Sequence, residues 1–333
     1  MSREIEAALA DSFMHSPKIK HTTGLFLSLI AAMLWGMLPV ALKELLAGMD
    51  AITIVWYRFL AAGVVLFAWL VIQRKLPQIL RQAVQIKWFL LFAAVGLCIN
   101  YFLFSYSLNF VNGETSEAII QLTTLFLILG GVFLYKEPFF AVQKVGTALI
   151  ICGLLLFFND RLSGLLSLEN RETTGVIIVI FAAITWTVYA LLQKQLLNSF
   201  SSVQILFIVY AFSIVVLLPL ISPLSLFQLS EIQAYLLLFC CLNTIIAYGC
   251  FAEALNCWDA SKVSAVLALA PLFTIGSLKL VVFFQPDYAF SDRLSILSLF
   301  GAFLLVVGSA LTALMPVLQQ YLANKRAALA ESA

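Results

Sequence analysis

Ten long apolar runs, separated by short polar segments, make up most of the sequence. A helix needs about 20 mostly apolar residues to cross the hydrocarbon core of a bilayer, and each run is close to that length. The runs lie at 24–46, 52–72, 88–110, 115–135, 139–158, 174–197, 203–222, 232–254, 263–284 and 294–317. The pattern predicts an all-α membrane protein with ten transmembrane helices.

The composition excludes a water-soluble domain. Of the 333 residues, 63% are hydrophobic and 11% are charged. An ordinary soluble protein has about 25% charged residues, because its water-facing surface needs them. Lipid must therefore cover most of the surface of this chain, and the bilayer is its first predicted partner.

Motifs of the common catalytic and nucleotide-binding sites are missing from the sequence. There is no Walker loop, glycine-rich dinucleotide turn, nucleophile elbow or metal-ligand cluster. The two histidines, His15 and His21, both precede the first apolar run. We therefore expect no catalytic residues, no metal and no cofactor. We also expect no nucleic-acid binding, because the basic residues are dispersed. A membrane-embedded enzyme and a non-catalytic scaffold are the alternatives to a transporter.

The distribution of basic residues predicts the orientation of the chain. With a cytoplasmic N-terminus, 13 of the 19 lysines and arginines fall on the cytoplasmic side, as the positive-inside rule requires. We therefore expect a multi-pass protein of a bacterial inner membrane with both termini in the cytoplasm. The N-terminal tail, 1–23, has no signal-peptide cleavage site. A periplasmic linker then occupies 159–173, and a cytoplasmic C-terminal tail occupies 318–333.

The second half of the chain repeats the first half, at offsets of 151 and 147 residues. The matching pairs include Trp35 with Trp186, Lys43 with Lys194, Tyr101 with Tyr248, and Leu108-Asn109 with Leu255-Asn256. Each half contains five runs, an odd number, so the second half must enter the membrane from the opposite side. The sequence therefore predicts two inverted five-helix repeats, 24–158 and 174–317, a design that can gate a central site from either side.

Short motifs recur in a fixed order along the chain. They are Ala31-Ala32 before Trp35, Ala182-Ala183 before Trp186, Tyr57-Arg58-Phe59, Leu108-Asn109, Leu255-Asn256 and Lys136-Glu137-Pro138. With these motifs the chain resembles the EamA-type branch of the drug/metabolite transporter superfamily, over nearly all of 24–317. The resemblance implies a ten-helix inner-membrane carrier with a central cavity between the halves. Such carriers often export amino acids or other small metabolites.

Two differences distinguish the halves. Glu137 follows the fourth run, whereas the second half has Phe283-Phe284-Gln285-Pro286 at the corresponding place. The resemblance implies a proline early in the fourth helix of each repeat, which is present as Pro271 in the second half but is Thr124 in the first half. These differences could make the two halves gate unequally.

Polar residues within a span are candidates for the transport pathway, because they are costly unless they face a cavity or a partner. In the fourth run, Glu114, Glu117, Gln121 and Thr124 are spaced i, i+3, i+7 and i+10, on one helix face. This stripe predicts a cavity wall in which Glu117 contacts a cationic or zwitterionic substrate, or a proton. The alternatives are an external mouth for the glutamates and an interhelical hydrogen bond for Gln121.

Other spans contribute aromatic and amide candidates for the pathway. Trp186, Tyr189 and Gln193 share one face of the sixth run, with Trp35 as the repeat mate of Trp186, and the third and eighth runs contain Asn100, Tyr101, Asn243 and Tyr248. Core packing for the aromatic residues and interhelical hydrogen bonds for the amides are the alternatives. Arg58 is expected to snorkel outward or to pair with Asp50 or Glu44.

Together these features predict a secondary carrier that exports small metabolites, with amino acids as the leading class, by alternating access. A drug or other solute permease of the same architecture is the alternative. The expected partners are a small-molecule substrate, protons as a candidate coupling ion, and lipid. The sequence does not specify an oligomeric state.

Overall fold

The computed structural model describes residues 21–136, 139–165, 167, 169–258 and 260–331. The predicted tail residues 1–20 and the motif residues Glu137 and Pro138 lie outside the described residues. The first half contains α1 (His21–Leu45), α2 (Ala51–Ile72), α3 (Val84–Ser107), α4a (Gly113–Ile120), α4b (Leu122–Tyr135) and α5 (Ala141–Phe157). The second half contains α6 (Arg171–Leu196), α7 (Ser202–Leu217), α8 (Glu231–Cys257), α9a (Ala260–Leu267), α9b (Ala270–Phe284) and α10 (Ile296–Glu331).

These helices confirm the all-α membrane fold. Within the described ranges, nine segments are long and apolar enough to cross a bilayer, and α5 is a tenth apolar helix of 17 residues. Large apolar side chains cover the outside of the bundle, including Phe26, Trp69, Phe181 and Phe283, which are 54% or more exposed. Such a surface is stable only in contact with lipid.

Polar side chains set the start of several helices. The Asp50 carboxylate accepts hydrogen bonds from the backbone nitrogen of Thr53 at 2.9 Å and from its hydroxyl at 2.7 Å, and so caps α2. Ser201 and Ser230 form capping boxes at the starts of α7 and α8. These caps satisfy backbone groups that the first turn of a helix leaves unpaired.

Helices of one half pack mainly against helices of the other half. α1 packs along α8, α3 along α6, α2 along α7, and α5 along α10. The first two pairs exchange when the halves are exchanged, as an inverted repeat requires. The paired alanines Ala31, Ala32, Ala182 and Ala183 are fully buried, because their small side chains let α1 and α6 approach their partners closely.

The fourth helix of each half is broken. The sequence pattern predicts continuous helices over 115–135 and 263–284, but α4a ends at Ile120 and α9a ends at Leu267. Pro271 accounts for the second break, because proline lacks a backbone N–H and cannot continue the hydrogen-bond ladder. Thr124 occupies the matching place in α4b, and its backbone nitrogen bonds instead to the Gln121 carbonyl, three residues back.

Glycines form the contact between α5 and α10. A Cβ atom on Gly301 would lie 2.4 Å from the Phe157 nitrogen and 2.6 Å from the Gly153 oxygen. A Cβ atom on Gly146 would lie 2.8 Å from the Gly308 oxygen. The two backbones therefore touch, because small residues let helices in a membrane approach closely.

The bundle has two ends. The linker end carries residues 159–165, 167, 169 and 170, together with the end of α1 and the start of α2. The terminal end carries the start of α1 and the end of α10. The predicted topology would place the linker end in the periplasm.

Candidate functional site

Aromatic side chains from both halves meet inside the bundle. The rings of Phe59 and Tyr210 are stacked with their centroids 5.1 Å apart, and Tyr101 lies 4.7 Å from Phe59. Trp35 contacts Tyr248 at 5.3 Å. The central cluster, as we define it, consists of Trp35, Phe59, Tyr101, Trp186, Tyr189, Tyr210 and Tyr248. It contains three repeat-related pairs, because Phe59 and Tyr210 also differ by 151 residues.

Five of the predicted pathway residues belong to this cluster. Tyr101 and Tyr189 are buried, whereas Trp35, Trp186 and Tyr248 are half-buried. The structure thus brings together aromatic residues that the sequence analysis placed on four different helices. Gln193 is half-buried one turn beyond Tyr189 on α6.

Arg58 lies against the central cluster and does not reach the surface. Its side chain is 3% exposed, its guanidinium lies 4.8 Å from the ring centre of Tyr101, and its Nε donates a hydrogen bond to the Thr244 hydroxyl at 3.0 Å. The expectation of snorkelling or of pairing with Asp50 is wrong, because Asp50 caps α2. Glu44 forms no ion pair with Arg58 either, within the part of the chain that the structure describes.

Sequence reasoning therefore missed Arg58 as a site residue. The Tyr57-Arg58-Phe59 motif contained the signal, because it places Arg58 within a span. In the structure the adjacent Phe59 is a fully buried member of the cluster. A charged residue next to such a position in a span is a functional candidate by default.

The two asparagines form hydrogen bonds between helices. The Asn100 amide donates to the Ala182 carbonyl at 2.8 Å, joining α3 to α6. The Asn243 amide donates to the Leu34 carbonyl, joining α8 to α1. The Asn243 Oδ1 atom is buried and accepts no hydrogen bond from a described residue. The side-chain nitrogens of Asn100 and Asn243 thus each bond to a backbone carbonyl of a neighbouring helix. The Asn243 Oδ1 atom remains available to a donor of another group.

The stripe on the fourth helix spans the break between α4a and α4b. Gln121 is buried and accepts a hydrogen bond from the Ser309 hydroxyl at 3.1 Å, so it contacts α10. Thr124 is half-buried on α4b. Glu117 is 6% exposed, and none of the described residues gives it a hydrogen bond or an ion pair. An isolated buried carboxylate is costly, and a bound proton or cationic ligand would remove that cost.

A polar network closes the linker end of the bundle. Asp292, which precedes α10, accepts hydrogen bonds from the Asn112 amide at 3.0 Å and from the Thr115 hydroxyl at 2.6 Å. Arg161 of the linker lies 3.5 Å from the Asp292 carboxylate and 2.7 Å from that of Glu172. The network therefore joins the first half, the linker and the second half.

Glu114 extends the same network. Its side chain is fully buried, and its Oε1 atom accepts hydrogen bonds from the Ser291 hydroxyl at 2.7 Å and the Asp292 backbone nitrogen at 3.2 Å. Lys279 lies 3.9 Å from this carboxylate. Burial, with further contributions from the Glu44 and Glu114 carboxylates, raises the pKa of the nearby Tyr288 phenol. Glu114 thus contributes to closure of the linker end.

A cavity of about 160 Å³ adjoins this network. Its lining consists of Phe110, Val111, Asn112, Arg161, Glu172 and Asp292. Four of these six residues, Asn112, Arg161, Glu172 and Asp292, are members of the network. The sequence analysis missed the network because its partners lie up to 180 residues apart in the chain.

Comparisons with known proteins give a consistent result. The model of the EamA-like transporter family matches residues 22–159 and 173–314. An uncharacterized transporter of Haemophilus influenzae is 40% identical over 87% of this chain and 94% of its own length. The uncharacterized inner membrane transporter YhbE of Escherichia coli K12 is 39% identical over 87% of this chain and 91% of its own length.

More distant similarities extend this set. A protein of Escherichia coli K12 named "Probable amino-acid metabolite efflux pump" is 22% identical over 85% of this chain and 92% of its own length. A solved crystal structure matches with a TM-score of 0.61, at 16% identity, over 89% of this chain and 99% of that chain. At this identity the structural match shows the fold alone.

Proposed function

The chain belongs to the EamA-like transporter family, and on this basis we propose that it is a secondary carrier that exports small metabolites by alternating access. Amino acids and their derivatives are the leading substrate class. The similarity to a protein named as an amino-acid metabolite efflux pump supports this class. The inner-membrane name of a relative at 39% identity supports the bacterial inner membrane as its location.

One observation carries the proposal of alternating access. The linker end is closed by a network between the two halves, and the central cluster lies deeper, between the same halves. A carrier needs such a closure on one side of its binding site, and an inverted repeat supplies the means to form it on either side in turn. Transport requires the site only to bind the solute, because no covalent bond of the solute has to form or break.

An unbiased metabolite comparison tests the proposed function. Cells that overexpress the protein are compared with cells that carry the empty vector, in both the medium and the cytosol. We expect one or more amino acids or related metabolites to accumulate in the medium and to fall in the cytosol. Identical metabolite profiles, with the protein shown to be present and folded in the membrane, would contradict the proposal.

The orientation of the chain gives a separate prediction. We expect the linker around Glu169 to face the periplasm and residue 333 to face the cytoplasm, because most basic residues then lie on the cytoplasmic side. Fusions of a reporter that is active only in the periplasm, placed at both positions, measure this. Activity of the reporter at the C-terminus would refute the ten-span topology.

Proton coupling through Glu117 gives another prediction. We expect Glu117→Gln to flatten the dependence of export on external pH, because glutamine cannot exchange a proton. The segment α4a packs against α6 and α9b, and no charged group among the described residues interacts with Glu117. Export of the identified metabolite into media of different pH is the measurement.

Glu169→Gln is the matched control, because Glu169 is exposed in the linker. This control should leave both the rate and the pH profile unchanged. A Glu117→Gln variant that keeps the wild-type pH profile would remove proton coupling from Glu117 and leave it a packing role.

A further inference from the structure

Arg58 is a buried cation without an anionic partner among the described residues. Its side chain is 3% exposed, and no carboxylate in the described part of the chain forms an ion pair with it. A guanidinium carries five N–H groups. One of them, on Nε, bonds to Thr244, and the two terminal nitrogens donate to no described residue. Four strong donors are therefore left without a described acceptor on a side chain that is almost fully buried, where unpaired charge is costly.

The repeat does not require this charge. The offset of 151 residues places Val209 opposite Arg58, whereas Phe59 and Trp35 keep aromatic mates in the second half. Arg58 thus has no charged counterpart in the second half, whereas the neighbouring aromatic residues have aromatic counterparts there. Its Cα lies seven residues into α2, which is about 10 Å along the helix from the linker end.

Thr244 fixes the direction in which the guanidinium is presented. Its hydroxyl accepts from Nε at 3.0 Å and donates to the Cys240 carbonyl at 2.9 Å, so both of its roles are taken. The guanidinium lies over the ring of Tyr101. The remaining edge, formed by the terminal nitrogens, has the geometry that binds a carboxylate through two parallel hydrogen bonds.

The central cluster contains a further donor. The Tyr210 hydroxyl is buried, adjoins the Tyr101 phenol, and makes no well-formed hydrogen bond to a described residue. The Tyr101 and Tyr248 phenols belong to the same cluster. This excess of donors over acceptors fits an anionic ligand.

We propose that Arg58 binds the carboxylate of the transported solute end-on, with the Tyr210 hydroxyl as an additional donor and Thr244 as a positioning residue. The solute class would then be an organic acid or a zwitterion such as an amino acid. A neutral drug or a purely cationic solute would not fit. This inference rests on the proposed carrier function and names the substrate group that its central site recognises.

Equilibrium binding to the purified full-length protein in detergent tests the inference without transport. The probes are three pairs: L-leucine with L-leucinamide, L-phenylalanine with L-phenylalaninamide, and benzoate with benzamide. Each pair differs by the replacement of a carboxylate with a neutral amide. We expect at least one acid to bind, and its amide to bind about tenfold more weakly or not at all, measured by isothermal titration calorimetry.

Variants of Arg58 assign the effect to this side chain. Arg58→Gln should weaken binding of the acid about tenfold or more, and Arg58→Lys should lie between it and the wild type, because lysine keeps the charge without the planar fork. Arg293→Gln is the matched control, since Arg293 is exposed. The free energy of unfolding of Arg58→Gln should be equal to that of the wild type or higher, because an unpaired buried charge has been removed.

Three results would overturn the inference. They are the failure of every acid to bind at millimolar concentration, equal binding of acids and amides, and unchanged binding to Arg58→Gln. Loss of stability in Arg58→Gln with unchanged binding would make Arg58 a structural residue. If acids bind but no metabolite is exported, only the proposed carrier function fails. If export occurs while acids and amides bind equally, only the carboxylate site fails.

Discussion

Asp292→Ala should open the linker end of the bundle. The substitution removes the acceptor of Asn112 and Thr115 and one of the two carboxylates beside Arg161. Loss of one partner of a buried ion pair costs about 3–5 kcal/mol. We expect about 2 kcal/mol here, because Arg161 keeps its contact with Glu172 and is partly exposed. This free energy destabilises the conformation with the closed linker end.

The measurement is the reactivity of a single cysteine at Val111 in a cysteine-free background. Val111 is 4% exposed at the wall of the linker-end cavity. A shift of about 2 kcal/mol raises a small open population about 30-fold. The reaction rate with a membrane-impermeant maleimide should rise accordingly, and transport should slow because closure is impaired.

Asp287→Ala is the matched control for this experiment. Asp287 lies in the same loop and is exposed, so its loss should change neither the labelling rate nor transport. Equal labelling of the Asp292→Ala variant and the wild type would show that the network does not hold the linker end closed.

Gly301→Ala should destabilise the protein although alanine favours helices. The new Cβ atom would lie 2.4 Å from the Phe157 nitrogen, so α5 and α10 would have to separate. Overpacking in a close-packed interior costs about 1–3 kcal/mol, and the upper end is expected because the clash is with backbone. Unfolding of the purified protein in detergent, followed by circular dichroism, measures the loss.

Gly249→Ala provides the opposite expectation in the same chain. A Cβ atom on Gly249 of α8 meets no atom within 4 Å. Because alanine is about 1 kcal/mol better than glycine within a helix, this variant should be as stable as the wild type or more stable. Equal stability of the Gly301→Ala and Gly249→Ala variants would mean that α5 and α10 are not held in backbone contact.

Hydropathy predicted the helices well because burial in lipid determines where they begin and end. The second run was expected at 52–72, and α2 covers Ala51–Ile72. The break at Gln121 was not predicted, because its cause is a local change of hydrogen bonding without a proline. Pro271 was noted in the sequence, but a proline can bend a helix without interrupting it.

The aromatic part of the candidate site was accessible from the repeat. Trp35, Tyr101, Trp186 and Tyr248 were selected as aromatic residues within spans, they also recur in both halves, and pseudo-symmetry brings such residues together. The environment of Arg58 was not accessible. Whether a buried arginine has an anionic partner depends on which carboxylates already accept other hydrogen bonds. Only the three-dimensional structure shows that Asp50 caps α2.

Because of the two helix breaks, a short helical segment lies at each end of the bundle. In the fourth helix the eight-residue segment α4a adjoins the linker end, and in the ninth the eight-residue segment α9a adjoins the terminal end. Each segment is about 12 Å long, so a rotation of about 20° at its break displaces its far end by about 4 Å, enough to admit water. Rotation of α4a or of α9a alone would therefore open one end of the bundle, while the glycine contact between α5 and α10 stays unchanged.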